Sequence, residues 1–460
     1  MIPVTSRSSQ HMAVFGLGGS GRAAARALMA GGATVTAWDD NADSRAEAAN
    51  ENIPLADLTQ SDWTGISALV LSPGIPLTHP APHPVVACAR AAGRQVIGDI
   101  ELLVENNNGA ALIGITGTNG KSTTSALIHH VLQASGVAVQ IGGNFGPPVL
   151  GLASAGPQDT IVLELSSYQL DLTQTATFDI AVLLNVTPDH LDRHGDMAGY
   201  VAAKKRIFRT NAAPGRQIAV IGIDDQYGEA LFREMSDDPH WQVVPVSVGQ
   251  ATADGVGVVD GVLHDSDGNS CPIGHIDTLR GRHNWQNAAA AWAIARARGV
   301  SPDRIADAFE TYPGLPHRLE TVAEINGIRY VNDSKATNGE AAARALSSFD
   351  SIYWIAGGVA KEDGLGPTEP YWGNVRHAFL IGEAADAFES MLSGSVPVTR
   401  SGDLATALRD AGACAVADGV THPVILLSPA CASFDQYRNF VLRGDHFRDL
   451  VNDLQIGGAA

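Results

Sequence analysis

The run Gly114-Ile115-Thr116-Gly117-Thr118-Asn119-Gly120-Lys121-Ser122-Thr123-Thr124 leaves little freedom to the chain around it. A short apolar stretch, residues 110–113, leads into it. Ser125-Ala-Leu-Ile-His-His-Val-Leu follows with the spacing of an amphipathic helix. Strand, glycine-rich turn and helix start together form a phosphate cradle. Backbone N–H groups in the turn and at the helix N-terminus point at an anion, and the helix dipole favours it. Lys121 adds a positive charge for the outer phosphates, and the Ser122 hydroxyl is a ligand for the accompanying Mg²⁺. The widespread form of this loop has a glycine where Ile115 stands here; Gly117 gives a tighter variant.

The chain has 460 residues, room for about three domains of roughly 150 residues each. Asp and Glu total 49 against 30 Lys and Arg, a formal charge of −19. Such a surface repels nucleic acid and anionic lipid as a whole, so neither is expected as a partner. A phosphate-bearing substrate must be drawn in locally, by helix N-termini, a few basic side chains and Mg²⁺. Cys88, Cys271, Cys414 and Cys431 are scattered without C-x-x-C spacing, which points to reduced thiols and no zinc site. No apolar run approaches the roughly 18 residues of a membrane helix, so no membrane insertion is expected. Residues 1–10 are polar and lack a signal-peptide core. The expectation is a cytoplasmic protein with a short floppy N-terminal tail.

Met12-Ala-Val-Phe15 reads as a strand, Gly16-Leu17-Gly18-Gly-Ser-Gly21 as a turn and residues 22–30 as an alanine-rich helix. Thr34-Val-Thr-Ala-Trp38 is a second strand, ending at Asp39-Asp40. This βαβ unit suits a dinucleotide or any other nucleoside diphosphate, with Asp39 or Asp40 on a ribose. Residues 68–71 form a further strand that turns at Ser72-Pro73-Gly74. Past the phosphate loop, residues 160–163 and 180–184 are unbroken apolar runs, hence buried parallel strands. The first ends at Glu164 and the second in Asn185-Val-Thr-Pro-Asp189-His190-Leu-Asp192-Arg193-His194. Residues 200–208 read as a helix and residues 243–276 as edge hairpins. Breaks at 106–109 and 312–316 divide the chain. The last part repeats the strand–turn–helix spacing of an α/β sheet, with strands at 375–381 and 424–427.

With the phosphate loop, Glu164 and His190 suggest a nucleoside triphosphate with Mg²⁺. Glu164 is a hard oxygen ligand; His190 is less usual but acceptable where several strands build the site. Taken singly, Glu164 could equally pair with a nearby lysine, and His190 could cap a helix. Two anionic ligands and three domains suggest an ATP-driven joining reaction. An NAD-dependent dehydrogenase built on Gly16 to Gly21 would leave the phosphate loop without a task.

Gly117-Thr-Asn-Gly-Lys-Ser122, Glu164-Leu-Ser-Ser-Tyr-Gln169, Asn185-Val-Thr-Pro-Asp-His-Leu-Asp192, His283-Asn284 and Asn332-Asp-Ser-Lys-Ala-Thr337 together resemble the Mur ligase family of peptidoglycan enzymes. Ser72-Pro-Gly74, Gly314-Leu-Pro-His-Arg318 and Leu427-Ser-Pro-Ala-Cys-Ala-Ser-Phe-Asp-Gln436 resemble its D-glutamate-adding branch. The Asp-Asn-Pro-Arg motif of the diaminopimelate-adding branch is absent from the sequence. The resemblance covers nearly the whole chain, except the N-terminal residues and residues 243–276. Folylpolyglutamate synthetase shares the architecture and is the alternative; it takes a folate and would not need the first βαβ domain.

The resemblance implies an α/β chain of three domains. A Rossmann-like domain over residues 1–107 takes the UDP substrate, a central P-loop-type ATPase domain spans 108–314, and a Rossmann-like domain over 315–460 takes the amino acid. The resemblance also implies the use of ATP and two Mg²⁺ ions to join UDP-N-acetylmuramoyl-L-alanine to D-glutamate through an acyl phosphate; a monomer is the expectation for the chain. Lys121, Glu164, His190 and Lys204 would be catalytic. One Mg²⁺ would sit at Ser122, the other on Glu164, His190 and Lys204 as its carbamate. By sequence alone Lys204 reads as a solvated helix lysine, like Lys205. ATP would take Gly117, Thr118, Asn119, Gly120, Lys121, Ser122 and Thr123, with Asn284 and Asn287 near the adenine. Asp333 would lie on its ribose, and Arg318 and Lys335 by its phosphates. The uridine diphosphate end would lie on Gly16, Leu17, Gly18, Asp39, Asp40 and Ser72, with Asn144 near the muramoyl part. D-glutamate would take Thr337, Lys361, Ser433 and the backbone at Phe440. The acidic neighbours of Lys361, Glu362 and Asp363, depart from the family pattern. Hinge motion is expected near 106–109 and 312–314.

Overall fold

The computed structural model describes residues 1–210, 217–361 and 364–457. Its strands form three sheets, and the chain divides into two compact units. One is Met1–His275 with Arg282–Tyr312; the other is Ile276–Gly281 with Pro313–Ala460.

The first unit holds two sheets. β1 (His11–Phe15), β2 (Thr34–Trp38), β3 (Ala68–Leu71) and β4 (Gln95–Ile97) run all parallel in the order β2-β1-β3-β4. The helix Gly19–Ala30 starts directly after β1, and a Cβ on Gly21 would collide with the Gly16 carbonyl oxygen. Only glycine lets that helix approach the strand end so closely.

The second sheet comprises β5 (Ala111–Thr116), β6 (Val139–Gly143), β7 (Thr160–Glu164), β8 (Ile180–Leu183), β9 (Gln217–Gly222), β10 (Trp241–Val248), β11 (Val256–Val259), β12 (Val262–Asp265) and β13 (Ser270–Pro272). Its order is β13-β12-β11-β10-β9-β8-β5-β7-β6. The strands from β5 to β11 pair in parallel, and only β11, β12 and β13 form antiparallel pairs. Residues 243–276 are therefore not all edge hairpins. β10 lies inside the sheet between β9 and β11, and the helix Arg282–Ala297 packs on it.

The first ten residues are no floppy tail. Ile2 and Val4 are buried, their N–H groups bonding to Leu150 O and Ala27 O at 2.9 Å each. Two positions apart on an extended segment, both side chains reach the same face. Arg7 pairs with Glu105, and the Ser6 N–H donates to Asn106 Oδ1 at 3.0 Å. This segment thus fastens the 106–109 break.

The second unit has one sheet: β14 (Glu320–Ile325), β15 (Ile328–Asn332), β16 (Ile352–Gly357), β17 (Val375–Ile381), β18 (Val398–Gly402) and β19 (Val424–Leu427). The order is β14-β15-β19-β16-β17-β18, parallel except for the β14–β15 hairpin. Alternation along β16 feeds two cores. Tyr353 and Ile355 pack with Leu404, Leu408, Phe447 and Val451, whereas Trp354 and Ala356 pack with Leu346, Phe388 and Leu392. In all three sheets the polar loops singled out above follow the C-terminal ends of parallel strands, where ligands bind in open α/β sheets.

Candidate active site

Gly120 takes the left-handed conformation, φ 84°, that ends the phosphate loop and starts the helix Lys121–Ala134. A Cβ there would collide with Asn287 Oδ1. Asn287 also accepts from Thr124 Oγ1 at 3.2 Å and donates to Asn284 Oδ1 at 3.1 Å. The buried Asn287 therefore lies against the end of the loop, with the buried Asn284 bonded to it. Asn185 holds the other side, accepting from Asn119 N–H at 2.8 Å and donating to Asn119 O at 3.2 Å. Ser122 and Thr123 are buried in the first helical turn.

Lys121 Nζ folds back over the loop and donates to Gly117 O and Thr118 O, each at 2.9 Å. Lys204 Nζ donates to the same Gly117 oxygen at 2.8 Å. Two lysine amines thus converge on one carbonyl. Lys204 is only 2% exposed, so the solvated helix lysine suggested by sequence alone is corrected; its neighbour Lys205 is the exposed one and pairs with Glu234. The reason is that the helix Met197–Lys205 turns Tyr200 and Lys204, four residues apart, inward together. Burial pulls the Lys204 pKa well below the usual lysine range, and the Lys121 charge pulls in the same direction, with Asp189 opposing. Lys204 Nζ lies 4.6 Å from the Tyr200 ring centroid, and the Tyr200 hydroxyl is 3.1 Å from Thr118 Oγ1.

Glu164 ends β7 in register with Ile115 of β5 and is 1% exposed. Its Oε1 accepts from Asn144 Nδ2 at 2.7 Å, so the Asn144 amide is turned toward Glu164. Its Oε2 is buried and has no hydrogen-bond partner. A buried carboxyl oxygen without a donor is costly, and a cation is the natural partner for it. His190 opens a short helical turn with φ 54° and sets its ring 4.9 Å from Tyr168. Burial lowers the His190 pKa, helped by Lys121 and Lys204 and opposed by Asp189 and Asp192. The shift favours the neutral ring, the form that ligates metal, while Asp189 Oδ2, 3.3 Å from His190 Nε2, pulls the other way. Among the described residues no three His, Cys, Asp or Glu side chains are placed to hold a metal. The orphaned oxygen of Glu164, a hard carboxylate donor, fits a cation such as Mg²⁺.

At the tip of the first sheet, Ser72 Oγ donates to Gly16 O at 2.7 Å and the Leu17 N–H to Asp39 Oδ2 at 2.5 Å. Asp39 Oδ1 accepts from Asn41 N–H at 2.8 Å, so this carboxylate shapes the turn itself. Gly18 is exposed as the residue before the helix, and Asp40 is exposed with Oδ2 3.0 Å from His83 Nε2. Arg193, which sequence reading did not single out, donates to Gly74 O and Ile75 O at 2.9 Å each. It ties the loop after β8 to the loop after β3. Its only sequence signal is its place in the Asp189–Arg193 run.

In the second unit, Asp333 is buried and accepts from Ser428 Oγ at 2.8 Å and Leu319 N–H at 3.2 Å. Burial pushes its carboxyl up to about 7, with the Ser428 bond and the Arg318 charge opposing. Lys335 Nζ lies 5.9 Å from the Phe440 ring centroid, and Phe440 O accepts from Ser334 Oγ at 2.8 Å. Ser433 is buried, Thr337 half-buried and Lys361 exposed; Glu362 and Asp363 lie outside the described residues. Arg443 is a residue that sequence reading missed. Its side chain is buried, with Nε donating to Ser334 Oγ at 3.0 Å, and Nη2 to Ser334 O at 2.9 Å and Cys431 O at 3.0 Å. It joins the loop after β15 to the loop after β19. Nothing in the sequence distinguishes it from a solvated helix arginine.

The Mur ligase middle domain matches residues 115–295. The UDP-N-acetylmuramoylalanine–D-glutamate ligase of Paramagnetospirillum magneticum is 49% identical over 460 residues, covering all of both chains. That of Caulobacter vibrioides is 49% identical over all of this chain and 99% of its own. Among solved structures, the UDP-N-acetylmuramate–alanine ligase of Thermotoga maritima aligns with a TM-score of 0.57 at 15% identity, over 97% of this chain and 99% of its own. The Thermotoga maritima MurF ligase, solved in complex with ADP, aligns with a TM-score of 0.57 at 17% identity, over 98% and 97%. Both likenesses extend over nearly the whole chain and concern its fold. With near-half identity along its full length to proteins of one name, the chain belongs to the Mur ligase family and groups within it with the UDP-N-acetylmuramoylalanine–D-glutamate ligases.

Proposed function

We propose that this chain joins UDP-N-acetylmuramoyl-L-alanine to D-glutamate, with ATP cleaved to ADP and phosphate, as a step of peptidoglycan precursor synthesis. The observation that carries this reading furthest is the convergence of Lys121 and Lys204 on Gly117 O beside a site wall whose Glu164 oxygen lacks a donor. A carboxylate is a poor electrophile until phosphate makes a leaving group. The alanyl carboxylate takes the γ-phosphoryl group, the D-glutamate amine attacks the acyl phosphate, and the tetrahedral intermediate collapses to amide and phosphate. Lys121 and the loop N–H groups position the phosphates and offset their charge.

Two Mg²⁺ ions, when bound, supply further charge neutralisation at the transferring phosphate. Ser122 would hold one; Glu164, His190 and Lys204 as its carbamate would hold the other. Carbamate formation needs an unprotonated amine, which the burial of Lys204 favours. Asn284 and Asn287 stand on the adenine side, Asp333 on the ribose, and Arg318 and Lys335 by the phosphates. Gly16, Leu17, Gly18, Asp39, Asp40 and Ser72 receive the uridine end, with Asn144 toward the muramoyl group. Thr337, Lys361, Ser433 and the Phe440 backbone receive D-glutamate. Residues 1–107, 108–314 and 315–460 serve as the three modules of this scheme. We place the reaction in the cytoplasm, carried out by a monomer. Four unpaired cysteines, and the absence among the described residues of any helix long and apolar enough to cross a membrane, support that placement. A folate-directed ligase and a nicotinamide-dependent dehydrogenase are not favoured, because full-length relatives carry the D-glutamate ligase name.

Phosphate release by the purified protein with ATP, UDP-N-acetylmuramoyl-L-alanine and D-glutamate tests the assignment. It is expected only with all three. Equal release with L-glutamate, or without the uridine compound, would overturn the substrate reading.

A further inference from the structure

A cleft of about 280 Å³ in the first unit is lined by Thr78, Arg90, Arg94, Asp171, Gln174 and Arg206 among others. Three guanidinium groups there face one carboxylate, on a chain whose acidic residues outnumber its basic ones by 49 to 30. Arg206 Nη2 lies 3.4 Å from Asp171 Oδ1, and its Nη1 donates to Thr173 O at 3.2 Å. Arg94 Nη2 donates to Thr64 O at 2.8 Å, but its Nε is buried and has no partner. Among the described residues, no hydrogen bond or ion pair engages the Arg90 side chain.

We propose that this cleft binds a small oxyanion of the phosphate or carboxylate class. Guanidinium forks match such groups with paired, charge-assisted hydrogen bonds. An oxyanion in the cleft would give the exposed Arg90 guanidinium a charged partner, with Arg94 and Arg206 lining the same space. It would compete with Asp171 for Arg206. The cleft stands independently of the reaction proposed above, although Arg206 continues the helical run that carries Lys204.

Calorimetric titration of the full chain, saturated with ADP and Mg²⁺ to block the phosphate loop, tests this with inorganic phosphate in one arm and malonate in the other. Arg90→Ser and Arg206→Gln are each expected to weaken the preferred anion roughly tenfold, the worth of one charge-assisted hydrogen bond. Asp171→Asn is expected to tighten it by about threefold or more, since a competing carboxylate is removed. A folding defect cannot tighten binding, so this last variant keeps the test decisive. No binding of either anion would overturn the proposal, as would affinities unmoved by all three substitutions. Binding lost in Lys121→Ala but kept in Arg90→Ser would assign the anion to the phosphate loop and equally overturn it.

Discussion

Lys204 is a lysine whose charge the fold works against: water is excluded, and a second amine shares its acceptor. If its task is to carry a carbamate, Lys204→Ala lowers phosphate release by ~100-fold or more, the scale of losing a preorganised charged group. Acetate or another short carboxylate restores part of it. Full activity without rescue would remove the carbamate reading. At Asp333 the burial acts on an acid. Its carboxyl is raised from the ordinary 3.8 to about 7 in the fold, so the folded chain holds a proton that the unfolded chain has already released. Stability from this group is complete below the ordinary value and is lost as pH rises toward 7. The melting temperature of Asp333→Asn relative to the parent is therefore expected to climb from about pH 4 to about pH 8. A difference independent of pH would show that this carboxyl titrates as in water.

Two short elements carry more than their length suggests. The phosphate loop depends on Gly120, whose backbone is left-handed and whose missing Cβ leaves room for Asn287. Gly120→Ala meets both obstacles and is expected to cost about 1–3 kcal/mol in backbone strain alone. Its ATP affinity should fall with its melting temperature; unchanged nucleotide binding would mean that the loop relaxes freely. The N-terminal segment buries Ile2 and Val4 and bonds to Leu150, Ala27, Glu105 and Asn106. Each buried aliphatic side chain is worth roughly 1.5–3 kcal/mol before ordering costs. Removal of residues 1–7 is expected to lower the denaturation free energy by ~2–4 kcal/mol in urea titrations. An unaltered midpoint would show that the segment contributes no net stability.

At the scale of the molecule, the two compact units each have their own hydrophobic cores. Large chains of this kind depart from two-state unfolding. Scanning calorimetry is expected to resolve two transitions. The uridine compound should raise only the one belonging to the first unit, since every residue proposed to bind it lies there and a ligand stabilises what it binds. A single transition shifted as a whole would show that the units unfold together.

The apolar runs that became β7 and β8, the glycines after β1 and β5, and Glu164 and His190 at strand ends were all legible in the chain. They rest on local physics: strand runs buried on both faces, turns that need glycine, and polar residues at the carboxyl ends of parallel strands. Tertiary structure alone decided that Lys204 is buried and Lys205 is not, that one oxygen of Glu164 lacks a donor, that β10 is an inner strand, and that the first residues are packed. It also brought Arg443 between two loops and Arg193 onto a third. Burial and its effect on charge depend on which distant surfaces meet, and no spacing along one segment encodes that meeting.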